Sequence, residues 1–167
     1  MDWRPAEVPM QDESIIVEVV DPGSPDAQYA VSEYYGELAR RFPAGFDGTN
    51  PADGDDFRSP AGAFLLASGP EGEAVGCGGV HTIGDGVGEI KRMWVHSSWR
   101  GQGLGARLLR DLEALAAEMG HTRVRLDTNG ELTEAIALYS GAGYRPVERY
   151  NDNGYATHFF EKDLRVG

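Results

Sequence analysis

The chain of 167 residues has little of what marks secreted, metal-binding or membrane-spanning proteins. Its one cysteine, Cys77, cannot form an internal disulfide, and its four histidines have no cysteine partners at zinc-ligand spacing. No apolar run approaches the roughly 18 residues of a membrane helix, and residues 1–13 show neither the blocks of a signal peptide nor the Arg-rich composition of a transit peptide. We therefore expect a cytoplasmic protein with no metal site and no membrane segment, in which residues 1–13 form a loose leader.

Basic residues are also scarce, with 15 Lys and Arg against 27 Asp and Glu and a formal net charge of −12. Binding to a phosphate backbone requires a basic stripe, so no nucleic-acid partner is expected. The acidic balance is compatible with a cationic small molecule or peptide as partner, and equally with a role in solubility alone. The length fits one domain, which we place at residues 14–167.

The spacing of apolar residues predicts an α/β protein with a mixed, mostly antiparallel sheet flanked by helices. Helical periodicity begins after Ser24 and Pro25, an N-cap and first-turn pair, and again at Leu104. Turn signals separate three strand-like runs in the middle of the chain, which predicts an antiparallel meander. The predicted strands are residues 14–20, 62–68, 73–83, 87–95, 123–127, 144–150 and 157–164, and the predicted helices are residues 25–41, 104–119 and 133–140. The stretch 43–60 is a loop, longer than the about 12–15 residues beyond which a structureless loop is usually functional or disordered.

The segment WRGQGLGARLL, residues 99–109, places glycines between a strand and a helix. Such a loop lets backbone N–H groups and the helix dipole bind an anion. From Gly101 it matches the dinucleotide fingerprint G-x-G-x-x-A, and from Arg100 it contains R-x-x-G-x-G. A dinucleotide fold is disfavoured, because three hairpin-linked strands precede the loop and only 62 residues follow Gly105. A Walker loop would need Gly-Lys-Ser/Thr, whereas a purely structural glycine turn stays open on the loop alone.

Two longer stretches, KRMWVHSSWRGQGLGARLLRDLE and LDTNGELTEAIALYSGAGYRPVERY, resemble the GNAT superfamily of N-acetyltransferases. The similarity covers about residues 62–164 and joins the R-x-x-G-x-G loop to an A-x-x-L-Y-x-x-x-G-Y helix. It implies a single-domain GNAT-like fold with acetyl-CoA as co-substrate. It further implies direct transfer of an acetyl group to a primary amine in a ternary complex, with a small molecule favoured over a peptide or protein N-terminus. Dimers are common in the superfamily, so a homodimer is one expected state.

The resemblance places the pyrophosphate of acetyl-CoA on backbone N–H groups of the glycine loop and the pantetheine arm along the preceding strand. The residues implied are Arg100, Gly101, Gln102, Gly103, Leu104, Gly105 and Ala106 in the loop, and Met93, Trp94 and Val95 in the strand. Gly103 and Gly105 are expected to matter most, because they allow close approach, and Gly101 less. Many relatives have Asn or Gln seven residues before the helix tyrosine, where this chain has Leu132. Either backbone groups replace that contact or Asn129 reaches the cofactor.

Two side chains are candidates for catalysis. Tyr139 occupies the position of the family's general acid for the CoA thiolate, and a core tyrosine with a hydrogen-bonded hydroxyl is the alternative. Glu89, eleven residues before Arg100, matches the general-base glutamate of the histone acetyltransferase branch, and burial would raise its pKa. The alternatives are an outward-facing acid, a partner of Lys91 or Arg92, or a water chain that serves as the base instead.

The resemblance frames the acceptor site with the first helix, the loop after it and the last hairpin. The candidate substrate-binding residues on these segments are Tyr35, Phe46, Tyr150 and Tyr155. Tyr34 and Phe42 lie on the apolar stripe of the first helix and are expected in the core. The aspartates of the 43–60 loop could attract a cationic amine or simply be solvated. A second function stays open, an acyl-CoA-binding sensor or interaction module without turnover, which Leu132 slightly supports.

Overall fold

The computed structural model describes residues 14–47 and 54–165, so the predicted leader at residues 1–13 lies outside the described residues. Within them the helices are α1 (Pro25–Arg41), α2 (Leu104–Glu118) and α3 (Thr133–Gly141), and the strands are β1 (Ile16–Val20), β2 (Gly62–Ser68), β3 (Ala74–Gly84), β4 (Val87–Val95), β5 (Arg123–Thr128), β6 (Arg145–Pro146) and β7 (His158–Asp163). Short 3-10 turns occupy Gly54–Phe57 and Ser97–Trp99. No helix in these ranges is long and apolar enough to cross a membrane.

Seven strands of the described ranges form one mixed sheet in the order β1-β2-β3-β4-β5-β7-β6. Neighbouring strands pair antiparallel, except that β4 and β5 pair in parallel. A parallel pair needs a crossover connection, and α2 supplies it here. The predicted meander of β2, β3 and β4 and the predicted mixed, mostly antiparallel sheet are both confirmed.

The helices cover both faces of this sheet because successive strand residues point to opposite sides. In β2, Leu65 belongs to the apolar cluster that contains α2, while its neighbour Phe64 belongs to the cluster that contains α1. The inward side of α2 consists of buried leucines: Leu104, Leu108, Leu109, Leu112 and Leu115. Burying one leucine side chain contributes about 1.5–3 kcal/mol, so this seam fixes the position of α2 and of the glycine loop before it.

The first helix begins as predicted. Ser24 has an extended backbone and its side-chain oxygen accepts a hydrogen bond from the Ala27 N–H at 3.3 Å, while Pro25 occupies the first helical position. α1 ends at Arg41, the residue at which the apolar spacing predicts its end. Both bounds of the helix therefore follow from local sequence.

The last predicted strand pair is only partly correct. The sequence predicts a strand over residues 144–150, but only Arg145–Pro146 pairs with β7. Pro146 has no N–H to donate, and the Val147 N–H makes one further backbone bond to β7 at 2.8 Å before the pairing stops. Beyond it, the Arg149 guanidinium donates to backbone carbonyls of the following segment, which is therefore a loop held by a side chain.

The predicted 43–60 loop contains one buried anchor. Phe57 ends the short 3-10 turn, is 1% exposed and packs edge-on against Phe64 at 6.3 Å between ring centroids. A single buried aromatic leaves no periodic signal, so the sequence did not indicate it. Residues 48–53 of this loop lie outside the described residues.

β4 carries an irregularity that opens the sheet. Arg92 has a φ of +60°, and the β3–β4 register shifts between Cys77 and Gly79. On its other side, the pairing of β4 with β5 ends at Ile90 and Leu126. Among the described strands, the end of β4 therefore pairs with β3 alone, and its other edge is left to line a cavity.

Candidate active site

A cavity of about 290 Å³ lies between the end of β4, the glycine loop and α3. The predicted cofactor residues that line it are Met93, Trp94, Val95, Arg100, Gly101, Gly103, Leu104, Gly105 and Ala106. From α3, Leu138 and Tyr139 complete the wall. The fold therefore brings the strand end, the glycine loop and the motif tyrosine to one space, which we call the first cavity.

The glycine loop has the geometry of an anion-binding nest. Gly101 and Gly103 have φ of +77° and +86°, and a Cβ at either position would meet no atom within 4 Å, so the need for glycine is conformational. Gly103 caps α2 without a side-chain bond, and the Arg107 N–H donates to its carbonyl at 3.0 Å. The N–H groups before that bond have no intrahelical acceptor. The demand for a left-handed backbone thus falls on Gly101 and Gly103, whereas Gly105 is helical. The greater importance of Gly103 and Gly105 for cofactor binding stays a prediction.

The Arg100 side chain is engaged within the protein. Its Nε donates to the Val95 carbonyl at 3.1 Å, and its guanidinium forms an ion pair with Glu37 of α1. Glu37 also lines the first cavity. The pair fastens the glycine loop to α1, and any charge that Arg100 offers to a phosphate is shared with Glu37.

Tyr139 is 6% exposed and its ring packs near Tyr144 and Phe160, at 5.9 and 6.2 Å between centroids. Its hydroxyl makes no hydrogen bond to any residue in the described ranges, and the side chain lines the first cavity. Burial, reinforced by the nearby charge of Asp127, raises the pKa of Tyr139 well above its ordinary value. The group therefore holds its proton at neutral pH beside the space it faces.

A second cavity, of about 480 Å³, adjoins the first, and Tyr34 and Leu132 line both. Three of the predicted substrate residues, Tyr35, Phe46 and Tyr155, line it. Their ring centroids lie 5.3 Å apart for Tyr35 and Phe46, and 4.7 Å apart for Phe46 and Tyr155. These three rings form one continuous surface, which we call the aromatic wall.

Contacts across the chain hold this wall together. The Asp47 N–H donates to the Tyr155 hydroxyl at 2.9 Å, which links the loop after α1 to the segment before β7. Phe42 stacks on Tyr155 at 6.0 Å and is buried, as expected of a core residue. Tyr34, also expected in the core, is half-buried, packs against two core clusters and lines both cavities where they meet.

Glu89 is 5% exposed and lines neither cavity. Its Oε1 lies 2.8 Å from His81 Nε2, and its Oε2 accepts from the Tyr150 hydroxyl at 2.7 Å and from Asn151 Nδ2 at 3.1 Å. Burial raises the pKa of Glu89, but the His81 hydrogen bond, the Lys91 charge and the Tyr150 hydrogen bond together bring that pKa below its ordinary value. The expectation of a raised pKa is therefore wrong, because partners outweigh burial.

Three predicted site residues are placed differently from the expectation. Tyr150 lines neither cavity, and its hydroxyl donates to the buried carboxylate of Glu89. Asn129 lines the second cavity rather than the first, and its Nδ2 donates to the Tyr155 carbonyl at 2.7 Å. Gln102 does not line the first cavity, and its amide donates to the Ser98 carbonyl at 3.4 Å.

Leu132 occupies the N-cap position of α3 and offers no side-chain cap. It is 9% exposed and packs with Leu38 and Phe42 of the α1 region. Leu132 lines both cavities, at the position where the resemblance would place an amide.

The sequence did not indicate that Asp127 and Lys91 would form a polar pair in the second cavity. Asp127, near the end of β5, lines this cavity with Lys91, whose Nζ donates to Asp127 Oδ2 at 2.9 Å. The available signal was position: Asp127 lies near the carboxyl end of a strand paired in parallel with β4, and ligands of α/β sheets bind beyond such ends.

The family model described as Acetyltransferase (GNAT) family matches residues 30–144, more than half of the chain. An uncharacterized N-acetyltransferase of Schizosaccharomyces pombe is 35% identical over 95 residues, which are 56% of this chain and 58% of that protein. An uncharacterized N-acetyltransferase of Escherichia coli is 36% identical over 47% of this chain and 48% of its own length. The match thus spans about half the length of these two relatives. An IAA acetyltransferase of Azospirillum brasilense is 33% identical over 68% of this chain and 71% of its own.

Solved structures share the architecture. An acetyltransferase of the GNAT family from Staphylococcus aureus has a TM-score of 0.76 at 18% identity, over 89% of this chain and 99% of that one. A GNAT family acetyltransferase from Elizabethkingia anophelis with acetyl-CoA bound has a TM-score of 0.62 at 19% identity, over 91% and 99%. An aminoglycoside 6′-N-acetyltransferase complexed with coenzyme A has a TM-score of 0.66 at 21% identity, over 89% and 97%. At these identities the likeness shows the fold, and the expected architecture is confirmed.

Proposed function

The chain belongs to the GNAT acetyltransferase family, and from this premise we propose that it transfers the acetyl group of acetyl-CoA to the primary amine of a small molecule. The observation that carries the proposal is the junction of two cavities at Tyr34 and Leu132, with Tyr139 in the wall of the first. A reaction between two bound substrates requires that their sites adjoin, because positioning the reacting atoms removes much of the entropic cost of a bimolecular step.

The first cavity suits acetyl-CoA as donor. The nest at Gly101 and Gly103 offers unpaired backbone N–H groups at a helix N-terminus, which suits a pyrophosphate. The edge of β4 around Met93, left free by β5, offers backbone groups to the amides of a pantetheine arm. Leu104 and Leu138 supply apolar surface beside it. When bound, acetyl-CoA supplies a thioester carbon that an amine can attack.

Direct attack fits the site better than an acyl-enzyme route. Cys77 lines neither cavity, its thiol donates to the Arg92 carbonyl at 3.2 Å, and burial raises its pKa to about 12. A thiol with that pKa holds little thiolate at neutral pH and is a weak nucleophile. We therefore assign a ternary complex in which the amine nitrogen attacks the thioester carbon directly.

The proton balance of this step gives Tyr139 its role. As the C–N bond forms and the C–S bond breaks, the departing thiolate takes the hydroxyl proton of Tyr139. An ammonium acceptor loses two protons in all: one passes to solvent before the attack and frees the nitrogen lone pair, and the other leaves the nitrogen after the C–N bond has formed and restores the Tyr139 hydroxyl. The products are an acetamide, free CoA thiol and one released proton.

The second cavity favours a small molecule as acceptor. Its volume of about 480 Å³ lies within the roughly 300–1,000 Å³ typical of small-molecule pockets. The Asp47 N–H and the Tyr155 hydroxyl, both in the lining of this cavity, are hydrogen-bonded to each other, which joins two segments of its wall. One structural neighbour is named for N-acetylation of an aminoglycoside, itself a small-molecule amine. We carry over the class of acceptor and not that compound.

A screen of primary amines tests the function. The protein is incubated with acetyl-CoA and each amine, and the release of free thiol is followed against a reaction without amine. We expect thiol release that depends on the amine and equals the acetamide found by mass spectrometry. Saturable binding of acetyl-CoA with no amine-dependent thiol release across aliphatic, aromatic and sugar amines would refute the transferase.

A further inference from the structure

We propose that Asp127 binds the ammonium of the acceptor, and that the acceptor is a primary amine carried on an apolar, ring-containing body that lies on the aromatic wall. This inference rests on the proposed function and deepens it by naming the acceptor class. The sequence indicates Glu89 on β4 as the acidic residue that contacts substrate, whereas this proposal assigns that contact to Asp127 on β5. Asp127 lines the second cavity, whereas Glu89 lines neither cavity.

The two oxygens of Asp127 have different surroundings. Oδ2 accepts hydrogen bonds from Lys91 Nζ at 2.9 Å and from Asn151 Nδ2 at 2.6 Å. Oδ1 makes no hydrogen bond to any residue in the part of the chain that the structure describes, and it is not sealed from solvent. The side chain as a whole is only 7% exposed. A held, largely buried carboxylate that lines a cavity and keeps one oxygen without a hydrogen bond in the described structure is well suited to accept from the N–H groups of an ammonium.

Glu89 and Asp127 share two partners, Asn151 and Lys91. Both carboxylates accept from Asn151 Nδ2, and Lys91 Nζ lies 2.9 Å from Asp127 and 3.7 Å from Glu89. Both Glu89 oxygens have protein partners and the residue lines neither cavity, so it orients Asn151 and Lys91 and does not contact substrate. Glu89 is therefore a positioning residue in this assignment.

The location of Asp127 suits the charge that develops in the reaction. An attacking amine nitrogen becomes positive as its bond to the thioester carbon forms, and a fixed carboxylate stabilises that charge without reorganising. Asp127 lines the second cavity together with Tyr34, and Tyr34 also lines the first. Asp127 thus shares a cavity with a residue of the junction, where the nitrogen must meet the thioester.

The aromatic wall supplies the second half of the recognition. Tyr35, Phe46 and Tyr155 line the cavity with their rings in contact, and Asp127 lies among the polar residues that line it. A ring on the acceptor gains contact with these side chains that a hydrated polyol would not. The pairing of one carboxylate oxygen with an aromatic surface predicts an arylalkylamine-like acceptor.

Binding to the CoA-saturated protein tests this without turnover. The probes are 2-phenylethylamine and its isosteric alcohol, 2-phenylethanol, titrated by calorimetry at neutral pH, where the amine is an ammonium. We expect the amine to bind wild-type protein at least about tenfold more tightly than the alcohol, which corresponds to about 1.4 kcal/mol. Equal affinity for the two probes, or no binding of the amine, would overturn the proposal, and this measurement needs no variant to fold.

Three variants locate the effect. Asp127→Asn should abolish the preference for the amine over the alcohol and leave the Kd for CoA within about twofold, whereas Asp127→Glu should keep part of that preference. Asp85→Asn removes one exposed carboxylate from the β3–β4 turn, lines neither cavity and serves as the matched control. If Asp127→Asn keeps the full preference, Asp127 is not the docking group. A wild-type protein that binds the amine selectively but never acetylates it would refute the proposed function and leave this inference standing.

Discussion

Tyr139 is placed to act as a general acid. Its hydroxyl is protonated at neutral pH, and burial first and the charge of Asp127 second raise its pKa, which makes the proton harder to give up until a thiolate forms beside it. It also lines the cavity in which a thiolate would form. Motif spacing located this residue in the sequence, but spacing alone cannot distinguish a cavity-facing hydroxyl from one bonded in the core. That distinction depends on the residues of other elements that surround it.

We predict that Tyr139→Phe lowers kcat about 100-fold, the lower end of what general acid–base groups contribute. The Kd for acetyl-CoA should stay within about twofold. The hydroxyl makes no hydrogen bond within the described structure, so its removal leaves the ring in place. Steady-state kinetics and calorimetry on the same preparation measure both quantities. Tyr144→Phe is the matched control, since Tyr144 is buried nearby with its hydroxyl on Glu113 at 2.8 Å and lines neither cavity. An unchanged kcat for Tyr139→Phe would remove Tyr139 from the mechanism.

The ionisation of Glu89 makes the free energy of unfolding depend on pH. Its pKa is lowered in the folded protein, so the ionised carboxylate stabilises the fold above its unfolded pKa of about 4.3. That contribution is lost as the pH falls through the lowered folded pKa. The advantage of wild type over Glu89→Gln in free energy of unfolding should therefore narrow between neutral pH and about pH 3.

Urea unfolding at several pH values measures that difference. Glu18→Gln, at an exposed position on β1, controls for the loss of one negative charge. A wild-type advantage over Glu89→Gln that stays constant down to pH 3 would show that the charge state of Glu89 does not matter to the fold.

The glycine loop shows how an element serves function through its backbone. Left-handed φ values at Gly101 and Gly103 set the direction of the N–H groups that precede the first bonds of α2. An L-residue in this conformation costs about 1–2 kcal/mol. A Cβ at either position would meet no atom within 4 Å, so a substitution would change the backbone conformation of the loop without causing a steric clash.

We predict that Gly103→Ala raises the KM for acetyl-CoA about tenfold, because a shift of the nest costs about 1.4 kcal/mol of anion binding. Gly72→Ala is the control: Gly72 has a φ of +81° in open space, in the turn between β2 and β3 far from the first cavity's lining residues. Thermal unfolding should show similar destabilisation for both variants. If the two variants also share the same KM for acetyl-CoA, the loop does not hold the pyrophosphate.

Local patterns predict elements well in this chain and predict the site less well. The bounds of α1, β2 and β4 follow from periodicity, caps and turns, all of which are local. The strand predicted at 144–150 is wrong beyond Pro146, because the Arg149 guanidinium donates to the carbonyls of Asn153 and Ala156 and holds that segment as a loop. Strand propensity and alternation do not register such bonds between a side chain and the backbone.

The network around Glu89 illustrates the same limit. Its partner Tyr150 lies 61 positions away, and Asn151 joins Glu89 to Asp127 across three segments. No spacing rule relates these positions. The sequence therefore indicated an acid in β4 and aromatics in the last hairpin, but not that they would meet each other away from the cavities.

At the level of the whole molecule, the first cavity forms because β4 and β5 stop pairing before β4 ends. β4 and β5 pair only as far as Ile90 and Leu126, and the free edge beyond forms part of the first cavity. α1 then spans both cavities, with Tyr34 at their junction. Ion pairs of Arg41 with Glu134 and of Arg100 with Glu37 fasten α1 to α3 and to the glycine loop. The two cavities are thereby held next to each other by one helix.

The most direct test of this arrangement is transfer of an isotope-labelled acetyl group from acetyl-CoA to an acceptor amine, with both substrates varied in initial-rate kinetics. The proposed site predicts labelled acetamide and free CoA thiol in equal amounts, and intersecting double-reciprocal lines that indicate a ternary complex. Parallel lines, or tight acetyl-CoA binding with no label on any amine, would contradict direct transfer between the two cavities.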